Sequence, residues 1–153
     1  MAVYAGIFAD LVVQKPSGQI VAAVEVRNLP EMSRDSAAML HRNLLEHDLQ
    51  PQAPYFLLVS QDLGYLWKEP EAHQLEAPPT LEFPMGEVMA RYWPRADLQN
   101  RFRGAELRYL VLAWLEDLSR LKLQPASEPE QSLARVGFLE ALRGATIIIE
   151  PNL

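Results

Sequence analysis

Two acidic side chains interrupt apolar stretches near the start of the chain, where a buried strand would not normally carry a charge. Asp10 lies within residues 7–13 (IFADLVV), and Glu25 lies within residues 21–27 (VAAVEVR). Burying a carboxylate without a partner is costly, so each acid requires a counterion, a metal cation or solvent at a strand end. Two carboxylates brought together form a ligand pair for a hard divalent cation. The sequence therefore indicates a candidate metal site built from Asp10 and Glu25.

The two acids are expected to lie on neighbouring strands of a hairpin. Residues 3–13 are almost continuously apolar and rich in β-branched and aromatic side chains, which predicts a strand covered on both faces. Pro16 and Gly18 occupy the second and fourth positions of a predicted type I turn. The apolar run at residues 19–27 then returns as the antiparallel partner of the first strand.

Whether the acids meet depends on the register of this hairpin. We expect Lys15 to pair with Gly18 across the turn. Asp10 then lies opposite Ala23, and Glu25 is its diagonal neighbour on the same face, because side chains alternate along a strand. Diagonal neighbours are roughly 7–8 Å apart, close enough for two carboxylates to share one ion. A glycine bulge at Gly18 would instead shift the pairing by one residue and place Glu25 on the opposite face.

The rest of the chain alternates between helical and extended patterns. Ser33 is the predicted N-cap of a helix that continues to His47. The proline-rich stretch Glu69–Pro84 predicts a surface loop. Further strands are predicted at Tyr55–Ser60, Tyr65–Trp67 and Thr146–Ile149, and further helices at Met85–Trp93, Ala105–Leu121 and Glu130–Arg143. This order favours an α/β fold with a mixed sheet flanked by helices, and the length favours one domain over residues 1–153.

These motifs resemble the core of the PD-(D/E)XK nuclease superfamily. The likeness rests on residues 9–13 (ADLVV), a turn, residues 24–27 (VEVR), a helix and the strand at Tyr55–Ser60. It covers about residues 3–67, and residues 85–153 would add a helical extension and a final strand. Within the superfamily, the chain is most similar to the nuclease domains at the amino end of type I restriction motor subunits and to their small relatives. The resemblance implies a restriction-endonuclease-like fold.

The resemblance also implies roles for individual residues. Asp10 and Glu25 would be ligands of Mg²⁺, with Mn²⁺ as a substitute, and the Val26 carbonyl would be a third oxygen ligand. Arg27 occupies the position of the family's lysine, so the implied catalytic residues are Asp10, Glu25 and Arg27. The implied activity is that of a magnesium-dependent DNA endonuclease, with no organic cofactor.

The chain departs from the family pattern in ways that favour a second interpretation. Lysine can lose its proton, whereas arginine stays charged and can only position water or stabilise developing negative charge. The family also usually opens with a helix that carries another acid, and no such helix is expected before Val3. Ala9 replaces the proline of the family motif. The alternatives are a catalytically inactive member of the fold that acts as a binding or assembly module, and a structural α/β protein. The latter would form a homodimer through its apolar carboxyl-terminal helix or through the strand at residues 147–149.

Charge limits how the chain would meet nucleic acid. Fourteen basic and twenty acidic side chains give a net charge of −6, the opposite of a protein that grips DNA over a broad face. Contact with DNA would therefore be local. Two basic patches are candidates: the cluster Arg91–Arg103 and the helix face around Arg34 and Arg42.

Composition also predicts a compartment. The chain has no cysteine, so it forms neither disulfides nor thiolate metal sites, and a reducing cytoplasm is the expected location. The apolar amino-terminal run lacks a basic leader, and Asp10 interrupts it well short of a membrane span, so no membrane partner is expected. His41 and His47 are six residues apart, which places them on different faces of one predicted helix, and His73 lies in the predicted loop, so no zinc site is expected.

Overall fold

The computed structural model describes residues 9–28, 32–47, 52–93, 104–120 and 125–149, and in these it contains six strands and five α-helices. The strands are β1 (Leu11–Gln14), β2 (Ile20–Val26), β3 (Tyr55–Val59), β4 (Leu63–Lys68), β5 (Leu81–Pro84) and β6 (Thr146–Ile149). The helices are α1 (Arg34–Glu46), α2 (Gly86–Tyr92), α3 (Gly104–Ser119), α4 (Glu130–Arg135) and α5 (Phe138–Leu142). Residues 3–8 of the predicted first strand lie outside the described residues.

The strands form one mixed sheet in the order β5-β4-β3-β2-β1-β6. β1 and β2 make an antiparallel hairpin, and α1 then carries the chain to β3, which runs parallel to β2. β4 and β5 continue from β3 as antiparallel neighbours, and β6 pairs antiparallel with the free edge of β1. The predicted α/β fold, a mixed sheet flanked by helices, is confirmed.

Each face of the sheet packs against its own helical layer because its central strands are apolar on both sides. Leu11, Val24 and Leu57 face a core shared with helices α2 to α5, in which Trp114 is fully buried. On the other face Val12, Ala23, Phe56 and Leu58 pack with Ala37 and Leu44 of α1. The end of β2 is therefore held between two helical layers. Within the described ranges, no helix is long and apolar enough to cross a membrane.

The predicted N-cap of α1 is confirmed, since the Ser33 hydroxyl accepts a hydrogen bond from the Ser36 amide at 3.0 Å. The same helix buries His41, whose ring stacks on Trp67 with centroids 4.4 Å apart. The His41 Nε2 lies 3.0 Å from the Ala72 carbonyl, which can only accept, so Nε2 carries the proton. Burial lowers the pKa of His41 to about 4, so at neutral pH this ring is an uncharged core residue.

Two predicted elements were wrong. The stretch Glu69–Pro84, predicted as a loop, contains a short 3₁₀ turn at Glu71–His73 and ends in β5. Pro84 is compatible with a strand because β5 lies at the edge of the sheet, where no further strand requires a backbone N–H donor. The predicted helix Glu130–Arg143 is two helices, because Gly137 adopts a left-handed φ of +88° between α4 and α5.

A glycine sets the spacing between β4 and β5. Gly64 lies opposite Phe83 in the sheet, and a Cβ added at Gly64 would lie 2.2 Å from the Phe83 ring. The ring is 1% exposed and has little room to move. We therefore expect Gly64→Ala to lower the free energy of unfolding by about 1–3 kcal/mol, the usual cost of overpacking a core.

Urea unfolding followed by circular dichroism measures this cost, with Gly86→Ala as the matched control. A Cβ at Gly86 meets nothing within 4 Å, and the residue begins α2, so alanine should leave stability unchanged or raise it. Equal stability of the two variants would contradict the tight packing at Gly64.

Candidate active site

The hairpin places Asp10 and Glu25 side by side at one end of the sheet. Leu11 pairs with Val24 and Val12 with Ala23, so the chain continues with Asp10 level with Glu25. The prediction that Asp10 lies opposite Ala23 was therefore wrong by two residues. Asp10 lies one residue before β1, and in the continued register its direct neighbour is Glu25 rather than Ala23.

Two one-residue shifts produce this register. Gly18, at a φ of +94°, donates its N–H to the Lys15 carbonyl at 2.8 Å and closes the predicted turn. The Lys15 amide then bonds to the Gln19 carbonyl at 2.8 Å, which is one residue beyond the predicted pairing with Gly18. A second irregularity follows between Val13 and Gln14.

This second irregularity leaves Val21 as an extra residue, because Val13 pairs with Ala22 whereas Gln14 pairs with Ile20. One shift alone would have turned Glu25 to the opposite face from Asp10, as a single glycine bulge was expected to do. The second shift restores the shared alternation.

The Asp10 carboxylate takes the place of a backbone partner at the end of the hairpin. Its Oδ2 accepts a hydrogen bond from the Val26 amide at 2.8 Å. The amide of Arg27, the residue after β2, points the other way and donates to the Val59 carbonyl of β3 at 2.9 Å. Because the N–H and C=O of one strand residue point to the same neighbour, the Val26 carbonyl is directed to the Asp10 side of β2.

The Glu25 carboxylate is buried, at 3% exposure, and forms an ion pair with Arg27, whose Nη2 lies 2.6 Å from Oε2. Burial, reinforced by the negative charge of Asp10, raises the pKa of Glu25 to about 7. The Arg27 guanidinium acts in the opposite direction, but its side chain is 44% exposed and water screens its charge. An ionised Glu25 is therefore incompletely compensated in the folded protein.

Arg108 of α3 is a site residue that the sequence did not reveal. Its Nη1 lies 3.6 Å from Asp10 Oδ1, and its side chain is only 17% exposed. One signal was present: Val111 and Leu115, three and seven positions later, are buried, so Arg108 continues a stripe that faces the core. An arginine on such a stripe requires an internal acid.

The predicted basic patches are partly described. Arg91 pairs with the buried carboxylate of Glu130, and Arg42 pairs with Glu46 at 2.7 Å and with Glu76 at 2.8 Å. The other arginine of this patch, Arg34, donates a hydrogen bond from Nη2 to the Pro79 carbonyl at 3.4 Å. Arg95, Arg101 and Arg103 lie outside the described residues.

The donor atoms at the site suit a hard cation. The carboxylates of Asp10 and Glu25 and the Val26 carbonyl are all oxygens, and Mg²⁺ is commonly held by one or two carboxylates while it keeps several waters. No group of three or more acidic or histidine side chains converges among the residues that the structure describes. The chain matches no protein-family model, no curated protein and no solved structure.

The raised pKa of Glu25 predicts how the stability of the folded protein changes with pH. Between pH 4.5 and about 7 the unfolded chain loses a proton that the folded protein keeps, so this group's contribution to stability falls as the pH rises through that window. Glu25→Gln mimics the neutral carboxyl. Without metal, we expect the variant to be more stable than the original protein at pH 8, by about 3 kcal/mol.

Urea titrations at pH 8 and pH 5 in the presence of EDTA measure this difference, which should shrink at the lower pH. Glu46→Gln is the control, because Glu46 is an exposed acid that also pairs with an arginine. A Glu25→Gln variant that is less stable than the original protein at pH 8 would show that the ion pair with Arg27 outweighs the cost of burial.

Proposed function

We propose that this chain is a PD-(D/E)XK-like domain that binds a divalent cation through Asp10 and Glu25 and acts on phosphodiester bonds of DNA. One observation carries the proposal: the two acids lie level with each other at the end of adjacent strands, with Arg27 beside them. Two neighbouring carboxylates repel each other, and a dication between them would neutralise both.

The path of the chain around the site supports the same proposal. The hairpin that carries the acids is followed by α1 and then by β3, which lies parallel to β2. The PD-(D/E)XK pattern is likewise a hairpin, a helix and a strand in this order. Because β2 and β3 are parallel, their carboxyl ends lie at the same end of the sheet, next to the acids.

Asp10, Glu25 and the Val26 carbonyl are the groups that would hold Mg²⁺ or Mn²⁺. When bound, such an ion polarises a phosphate oxygen and lowers the pKa of a coordinated water. Arg27 supplies a permanent positive charge at the rim, where its half-exposed guanidinium can bind and orient a phosphate. It does not transfer a proton, which separates its role from that of lysine.

The contact with DNA is proposed to be local, as the net charge of −6 requires. Arg27 is the basic side chain best placed for it, because it lies at the acid pair and is 44% exposed. Acids bind the guanidinium groups of Arg91 and Arg42, as Glu25 binds that of Arg27, but neither of these two residues contacts the acid pair. DNA binding through them stays a prediction.

A second candidate function, a non-catalytic binding or assembly module of the same fold, is favoured by the internal pairing of the acids. Glu25 contacts Arg27 at 2.6 Å, and Asp10 accepts from the Val26 amide and faces Arg108. These partners make the site tolerable without a cation. The predicted homodimer is compatible with this function, because β6 lies at the edge of the sheet where a second copy would pair.

Metal binding and DNA cleavage together separate these functions. Isothermal titration with Mn²⁺ should show one binding event that Asp10→Asn and Glu25→Gln each weaken by about tenfold or more, because each removes a charged ligand. Supercoiled plasmid incubated with Mg²⁺ or Mn²⁺ should be nicked, and the same two variants should abolish nicking. Asparagine and glutamine keep hydrogen-bond acceptors, so the hairpin is expected to fold.

Glu46→Gln is the control, since it removes an exposed acid on α1 and should change neither result. Binding without nicking would support the non-catalytic module. The absence of both metal binding and nicking would contradict the nuclease and leave the structural α/β protein.

Arg27→Lys tests whether the basic residue limits cleavage. Lysine restores the residue type of the family pattern and can transfer a proton, so we expect faster nicking than with the original protein at the same metal concentration. The rate of conversion of supercoiled to open-circular plasmid measures the gain. Arg42→Lys, on the exposed face of α1, is the control, and an unchanged rate for Arg27→Lys would contradict the idea that Arg27 restrains the site.

A further inference from the structure

We propose that Arg108 competes with the cation at the metal site: together with Arg27 it supplies positive charge that opposes the binding of a divalent ion. This inference rests on the proposed function, because it assumes that Asp10 and Glu25 bind a metal. It assigns to α3 a direct part in a site that the sequence had placed entirely on the hairpin.

The charges at the site balance in pairs. Glu25 Oε2 lies 2.6 Å from a nitrogen of Arg27, and Asp10 Oδ1 lies 3.6 Å from a nitrogen of Arg108. Each carboxylate thus has one guanidinium group beside it. A dication that enters between the acids gains both negative charges but meets two positive ones, so its binding requires that the arginines move or tolerate it.

The two arginines differ in how easily they can leave. Arg27 directly follows β2 with 44% of its side chain exposed, so it can turn into solvent and remain available for a phosphate. The Arg108 side chain is 17% exposed, and it projects from a helix that Leu107, Val111 and Leu115 anchor in the core. Arg108 therefore stays near Asp10 and continues to repel an incoming cation.

Asp10 does not depend on Arg108 for its position. The Val26 amide holds Oδ2 at 2.8 Å, and this bond comes from the backbone of the neighbouring strand. A neutral residue at position 108 should therefore leave Asp10 in place and remove only the repulsion. This consequence distinguishes a competitor from a structural support, because loss of a support would weaken metal binding.

The test is Mn²⁺ binding, measured by calorimetry and by the electron paramagnetic resonance signal of free Mn²⁺. We expect Arg108→Gln to bind Mn²⁺ about tenfold more tightly than the original protein, because a positive charge close to the ion has been removed. Arg108→Lys keeps the charge and should bind with nearly the original affinity. Arg108→Met, which suits a mostly buried helix position, is a second neutral variant in case the glutamine variant does not fold.

Arg42→Gln is the matched control, because it changes the net charge of the protein equally but lies on the exposed face of α1. Its Mn²⁺ affinity should not change. If the original protein binds Mn²⁺ and the neutral variants at position 108 bind it equally or more weakly, the inference is overturned while the proposed function stands. If neither the original protein nor any variant binds Mn²⁺, the metal site itself is refuted, and the inference with it.

Discussion

The site depends on one electrostatic constraint, the burial of the Glu25 carboxylate beside Asp10. Removing a carboxylate from water favours its neutral form, and a second negative charge at the same strand end adds to the penalty. Two arginines offset this negative charge: Arg27, directly after β2, pairs with Glu25, and Arg108 of α3 pairs with Asp10. A protein selected only for stability would have little reason to keep such a cluster, because an apolar strand end avoids the cost altogether.

The constraint also explains how the two halves of the chain are joined. The hairpin carries the acids, whereas α3 belongs to the layer that covers one face of the sheet. The contact between Asp10 and Arg108 links these elements at the point where β1 begins. The apolar face of α3 fixes the position of Arg108, so packing and electrostatics specify the site together.

Local patterns predicted most of the elements, because the hairpin, the cap at Ser33 and the apolar stripe of α3 are each written in neighbouring residues. The register was not predictable in this way, since the extra residue of the hairpin, Val21, is an ordinary apolar residue of an apolar run. β5 was not predicted because prolines, which disfavour strands, lie before it and at its end. Arg108 was missed because its partner, Asp10, is far away in the sequence, and only tertiary packing joins them.

Because the hairpin contains two irregularities, the number of residues in its turn region decides whether Asp10 and Glu25 lie on the same face of the sheet. Side chains alternate with a period of two, so the loss or gain of one residue between Val13 and Ala22 would send Glu25 to the other face while β1 and β2 could still pair. A change of two residues would leave the acids together. Homologues that differ by an odd number of residues in this segment are thus expected to retain the sheet but lose the acid pair.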